Sequence, residues 1–183
     1  KALLQRNMLL KNQSMDASLY EVLEMQLGMY GRMVFEKRRL LVESFIPIFN
    51  EYYQTICRSS EMVGLRYISQ LAEKDLPELL AANRERDRIL GYTSNGVHKD
   101  ELEMTLNEHL IRRVGSQGQN KTYLIALKLA QFAFLAQKGQ TTPILLLDDI
   151  FDKLDAARVA EIIKLVGNDS FGQIFITDTN REH

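Results

Sequence analysis

Two stretches of this 183-residue chain carry residues whose types and spacing suit phosphate chemistry. The first is Ile144-Leu145-Leu146-Leu147-Asp148-Asp149, an apolar run ending in two adjacent carboxylates, followed by Asp152-Lys153-Leu154-Asp155. A carboxylate emerging from a buried strand is held rigidly against a low-dielectric wall. There it can hold Mg2+, usually through water, against phosphate oxygens. The acid beside it can orient or deprotonate an attacking water. On that chemistry Asp148 is the metal-holding candidate and Asp149 the catalytic one. The competing reading, in which one acid merely caps the following turn, is the weaker: adjacent carboxylates repel and gain nothing in packing.

The second stretch is Gly115-Ser116-Gln117-Gly118-Gln119. Ser116 and Gln119 have the spacing of an S-x-x-Q capping box, in which each side chain satisfies a backbone donor at a helix start. Free N–H groups and a hydroxyl at such a start also form an anion site, and Gly118 allows close backbone approach. The cap alone explains Ser116 and Gln119 equally well, so both readings stand. Gly115 to Thr122 also comes near the phosphate-loop pattern G-x-x-x-x-G-K-[ST]. Asn120 occupies the second required glycine, however, and its side chain would crowd the cradle. A true P-loop is therefore not expected here, and no other stretch offers one.

These residues need elements to position them. The capping box opens a helix running to Lys138, with Gly139 as its stop and apolar residues almost all round, so both of its sides should be buried. Thr142-Pro143 then leads into Ile144–Leu147, an unalternated run expected to be a strand of a parallel sheet covered on both faces. Asp155 caps the next helix, with Val159, Ile162, Ile163 and Val166 turned inward, and Gln173–Thr177 forms the next strand. Strand, helix, strand in this order is a βαβ unit, and ligands bind at the carboxyl ends of its strands. Upstream, the spacing from Leu19 to Ile56 predicts a helical stretch with one apolar stripe, capped by Ser14 or Asp16 and kinked or split at Pro47, which makes either one long arm or an antiparallel hairpin. A strand is expected over 62–69, and a helix from Pro77 to a stop at Gly91. A hairpin should turn at Asn107-Glu108, with 109–114 returning.

Basic residues on the helical part have two readings each. Lys37-Arg38-Arg39 is either a phosphate-contacting patch or a solvated helix face, and the same holds for Arg84 and Arg88, one turn apart. Apolar residues at 45% and charged ones at 26% are globular values, and a net charge of −1 gives no whole-chain argument for a nucleic-acid partner. The single cysteine, Cys57, excludes an intramolecular disulfide and a cysteine-based zinc cluster, and reads as a bystander thiol. No apolar run reaches the ~20 residues of a membrane helix. The start at Lys1 reads as mid-chain sequence, so a fragment of a longer protein is expected.

The order Ser-x-Gly-Gln, buried strand, Asp-Asp and Leu-Asp is similar to the signature, Walker B and D-loop series of ABC-type ATPases. Leu147 to Asp155 matches L-D-E-P-T-S-A-L-D without a gap. Together with Gln5-Arg6-Asn7, Gly91-Tyr92-Thr93 and His98-Lys99-Asp100, these words resemble the RecF family of bacterial recombination mediators, relatives of the SMC proteins, over essentially the whole chain. The resemblance implies an α/β fold: residues 92–183 as the carboxyl-terminal half of an ABC-type P-loop NTPase head, and 1–91 as a helical lever arm. The Walker A lysine of the family belongs to the amino-terminal half of the head, outside these residues.

The resemblance further implies ATP and Mg2+ as cofactors, slow hydrolysis, and an ATP-dependent homodimer. It implies DNA as partner, both double-stranded and at single-strand/double-strand junctions, in repair at gaps and stalled forks. RecR and RecO-like mediators would join it, with RecA indirectly, in the cytoplasm at the nucleoid. By match of motif, Ser116, Gly118 and Gln119 would reach the ATP of the opposite subunit. Asp148 would organise Mg2+, Asp149 would stand where ABC proteins use Glu, and Asp155 would be the D-loop acid at the dimer seam. Asp149 is one methylene shorter than Glu, and Asp178 stands where ABC proteins place their switch histidine. Two other classes compete: a Mg2+-dependent Toprim-type phosphoesterase using Asp148, Asp149 and Asp152, and a helical interaction module with an inert head.

Overall fold

The computed structural model describes residues 1–58, 60–139, 141–168 and 171–177. They form two compact units that interleave along the chain, 1–42 with 67–103, and 43–66 with the described residues of 104–177.

In the first unit, α1 (Ala2–Lys11) is followed by the opening turns of α2 (Ala17–Cys57), whose apolar stripe packs on α3 (Leu76–Ala82). Phe35, Leu71, Leu76 and Leu80 form its core, with Leu27, Tyr67 and Val97 against them. Gly28 makes that packing possible: a Cβ there would lie 2.4 Å from Pro77 Cγ. Of the two expected caps for α2, Asp16 does the work, its Oδ1 accepting the N–H groups of Ser18 and Leu19 at 3.0 and 3.3 Å. The single helix expected from Pro77 to Gly91 is two, α3 and α4 (Arg84–Leu90). The break is at Asn83, whose side-chain amide bonds back to the Leu79 carbonyl at 2.8 Å and competes with the helix ladder.

Arg6, fully buried, organises this unit's polar centre. It pairs with Asp87 at 2.7 Å and Glu24 at 3.1 Å, and also donates to Thr93 and the Leu80 carbonyl. Arg84 completes a charge-balanced quartet by gripping Glu24 at 2.6 Å.

In the second unit α2 continues through Pro47 without a break. The turns on either side are held by aromatic packing, Phe45 on Phe134 and Phe49 on Tyr123. The chain's three-stranded sheet has the order β1 (Val63–Ile68), β2 (Glu101–Leu106), β3 (His109–Leu110), and residues 63–66, 104–106 and β3 belong to this unit. Asn107 and Glu108 both take left-handed backbone angles, the geometry of a tight hairpin turn. The return strand is shorter than expected: after Leu110 the chain coils into α5 (Ile111–Val114), which buries Ile111.

Helix α6 (Gln117–Lys138) then leads to β4 (Leu145–Leu147), α7 (Ala156–Val166) and β5 (Ile174–Ile176). β4 and β5 pair in parallel with Leu146 opposite Phe175, so the βαβ unit is present. Two burial expectations are corrected. β4 alternates buried, exposed, buried, with Leu146 65% and Phe175 58% exposed, the pattern of a sheet covered on one face only. Leu124 and Leu135 of α6 are likewise half exposed, so that helix is not buried on both sides.

Candidate functional site

The candidate site is built in the second unit from three segments that meet at the start of α6. Ser116 is the N-cap of that helix, and the capping box is complete. Gln119 N–H donates to Ser116 Oγ at 3.2 Å, and Ser116 N–H donates to Gln119 Oε1 at 2.8 Å. Asn120, the residue that breaks the phosphate-loop pattern, donates its amide to the carbonyls of Gly115 and Ser116, both at 2.9 Å. The side chain that would crowd a cradle instead clamps the turn. Lys121 follows the same logic, since its ammonium is committed to the Asp149 carbonyl.

Asp148 and Asp149 lie just past β4, at the carboxyl end of the strand. Asp148 is exposed and accepts the Thr177 hydroxyl; Thr177 is itself tied to β4, donating its N–H to Leu147 O at 2.9 Å. Asp149 takes a left-handed backbone conformation, φ 47°. An Asp tolerates this better than most residues, and here the backbone is fixed from both sides. Its N–H donates to Thr177 O and Oγ1 at 3.0 and 3.1 Å, and its carbonyl takes Lys121.

The third segment is the turn Asp152–Asp155. Asp155 caps α7, accepting Arg158 N–H at 2.9 Å, and its other oxygen lies 3.4 Å from the Arg158 guanidinium. Gly118 sits directly against this turn: a Cβ on it would stand 3.1 Å from both Lys153 O and Arg158 Nη1. Helix α6 thus touches the Asp149 backbone through Lys121 and the Asp155 turn through Gly118.

The remaining sequence candidates lie in the first unit. Lys37 is exposed. Arg38 pairs with Asp100 at 3.0 Å, and Arg39 with Glu36 at 3.0 Å. Arg84 is held by Glu24, and Arg88 pairs with Glu85. Asp178 lies outside the described residues.

No protein-family model matches the chain. Among curated proteins, it is 79% identical over all 183 residues to the DNA replication and repair protein RecF of Parabacteroides distasonis. It is 56% identical, again over its whole length, to the RecF proteins of Azobacteroides pseudotrichonymphae and Bacteroides thetaiotaomicron. The chain belongs to the RecF family. It spans about half the length of these relatives, 50% of each. A solved structure of the recombination mediator protein RecF with ATP has the same fold, with a TM-score of 0.82 over 100% of this chain and 51% of that one at 24% identity. A second, with ATPrS, gives 0.81 over 98% and 51%. The expected fold class, α/β with a long helical part, is the observed one, and it is the fold of these RecF structures.

Several residues around the Ser116–Gln119 turn carried no sequence signal of the bonds they make. Glu61, between α2 and β1, accepts the Gln119 amide at 2.8 Å and the Tyr53 hydroxyl at 2.7 Å. Burial acts to raise its pKa, but the hydrogen bonds from Tyr53, Gln119 and Cys57 together with the Arg158 charge outweigh it, and the carboxyl is held below the usual range. Burial first, then the bond to Glu61, raises the Tyr53 hydroxyl well above its usual value. Thr177 and Arg158 were equally silent, and Lys121, which stands at the lysine of the near-miss phosphate-loop pattern, gave no hint of its bond to Asp149 O: these roles depend on which segments fold together, not on local spacing.

Proposed function

We propose that the chain supplies the carboxyl-terminal part of a composite ATP site in a RecF-type recombination and repair mediator. In it, Ser116, Gly118 and Gln119 face a nucleotide carried by the opposite subunit of an ATP-dependent homodimer. The observation that carries this reading is the commitment of Asn120 and Lys121. One closes the turn on itself and the other is spent on Asp149 O, so the turn keeps no lysine for a phosphate cradle of its own. What it retains outward is the exposed Ser116 and Gln117 at a helix N-terminus, which suits a terminal phosphate presented from elsewhere.

Asp148, exposed beside the Thr177 hydroxyl, fits Mg2+ held mainly through water, because one or two carboxylates suffice for that ion. Bound there, Mg2+ would neutralise phosphate charge. Asp149 would orient the attacking water, its backbone fixed by Lys121 and Thr177. Asp155 would keep its capping bond to Arg158 N–H and offer its other oxygen at the dimer seam.

DNA, double-stranded or at junctions, is the proposed macromolecular partner, with RecR and RecO-like mediators beside it and RecA downstream, in the cytoplasm. Residues 1–91 would act as the lever arm and 92–183 as head. Lys37 is the proposed DNA contact with least to give up. Arg38, Arg39, Arg84 and Arg88 would each have to exchange an internal carboxylate for a phosphate. Among the described residues no helix is long and apolar enough to cross a membrane. The Toprim-type alternative finds no support in the geometry, since among the described residues no three acidic, His or Cys side chains converge on a metal position.

The test is nucleotide binding by these 183 residues alone. Weak MgATP binding and no hydrolysis are expected; tight binding would overturn the composite-site reading.

A further inference from the structure

We propose that Glu61 is a positioning residue for the nucleotide-facing turn, linking the end of the long helix α2 to Gln119. This rests on the composite-site reading above. Gln119 has two jobs in the structure. Its Oε1 accepts Ser116 N–H and closes the capping box, while its Nε2 donates to Glu61 Oε1 at 2.8 Å. The second bond decides which way the amide faces, because both ends of an amide are committed only when donor and acceptor sides are each matched. Glu61 is in turn fixed at its other oxygen by the Tyr53 hydroxyl at 2.7 Å, with Cys57 Sγ 3.4 Å away.

Tyr53 is fully buried in the last turns of α2, its ring packed against Phe49 and Tyr123. Tyr123 belongs to α6 itself and donates its hydroxyl to Gly64 O in β1. The relay Tyr53–Glu61–Gln119–Ser116 therefore runs from the carboxyl end of α2 to the N-cap of α6. A rotation or shift of that end of α2 would be felt at the turn through two hydrogen bonds to one carboxylate. Glu61 touches no proposed ligand; it acts through Gln119.

The experiment uses a RecF-family protein of the relatives' full length carrying this sequence, with ATP-dependent dimerisation, ATP affinity of the monomer and thermal midpoint measured side by side. Glu61→Gln puts an NH2 where one of the two donors points. It is expected to weaken dimerisation about tenfold, the scale of one hydrogen bond to a charged group, with monomer ATP affinity within about twofold of wild type. Tyr53→Phe keeps the packed ring and should shift dimerisation the same way by less. Because Glu61 works through Gln119, the double variant Glu61→Gln/Gln119→Ala should dimerise no worse than Gln119→Ala alone.

Wild-type dimerisation in both Glu61→Gln and Tyr53→Phe, or effects of Glu61→Gln and Gln119→Ala that multiply, would overturn the proposal. So would parallel losses of thermal midpoint, monomer ATP affinity and dimerisation, the signature of a merely structural role. Ser116→Arg separates the two levels. Normal dimerisation in that variant would remove the composite-site reading and this inference together. Loss there with none in the Glu61 and Tyr53 variants would remove the inference alone.

Discussion

Arg6 shows how a residue's environment sets its cost. Its guanidinium has no exposure and faces Glu24, Asp87, Thr93 and a backbone carbonyl. Arg6→Met would leave Asp87 buried without its cation, and a change of that kind costs about 3–5 kcal/mol; denaturant unfolding should show a loss of that order. Adding Asp87→Asn should recover part of it by removing the orphaned charge. Glu61 makes a pH prediction. Its folded pKa is depressed, so its ionisation stabilises the fold above the unfolded value of about 4.3, and that contribution is lost as pH falls through the lowered folded pKa. Glu61→Gln lacks this titration, so the stability gap between wild type and variant should narrow on acidification below about pH 4; a gap independent of pH would contradict it. At this scale the sequence exposed Asp148, Asp149, Ser116 and Gln119, because strand ends and caps have local patterns. It was silent on Glu61 and Thr177 and on the bond that Lys121 makes, because the partners lie 58, 29 and 28 positions away.

Among the elements, long periodic segments were legible and their breaks were not. The 41-residue α2 followed from its apolar spacing, yet Pro47 neither splits it nor ends it, because Phe45 and Phe49 hold the flanking turns from outside the helix. Asn83 does break a helix, through a side-chain bond that no periodicity reveals. The close crossing of α2 and α3 is a further case. Gly28→Ala must displace Pro77 from a 2.4 Å approach, and overpacking of this kind typically costs about 1–3 kcal/mol. Thermal or denaturant unfolding of the variant checks this; wild-type stability would mean that the two helices slide apart freely. At the site, Gly118→Ala would press on Lys153 O, 3.1 Å away. It should perturb the Asp152–Asp155 turn and α6 together.

For the molecule, the fold class and family could be read from the order of a few words, Ser-x-Gly-Gln, Leu-Asp-Asp and Leu-Asp, because each marks a helix start or a strand end whose order the topology fixes. The interleaved packing of 1–42 with 67–103, and of 43–66 with 104–177, could not, since long-range pairing leaves no local trace. The half-exposed face of β4 and β5 was misread for a related reason. An apolar run such as Ile144–Leu147 reports hydrophobicity but not which neighbours are present to cover it. The central claim is that Asp148 and Asp149 serve the subunit that carries them, while Ser116 to Gln119 serve the other. Ser116→Arg in a RecF-family protein of full length, assayed for ATP-dependent dimerisation and for ATP binding by the monomer, addresses it most directly. The account predicts that dimerisation is lost and monomer binding is retained; equal loss of both would place the turn in its own subunit's site and contradict it.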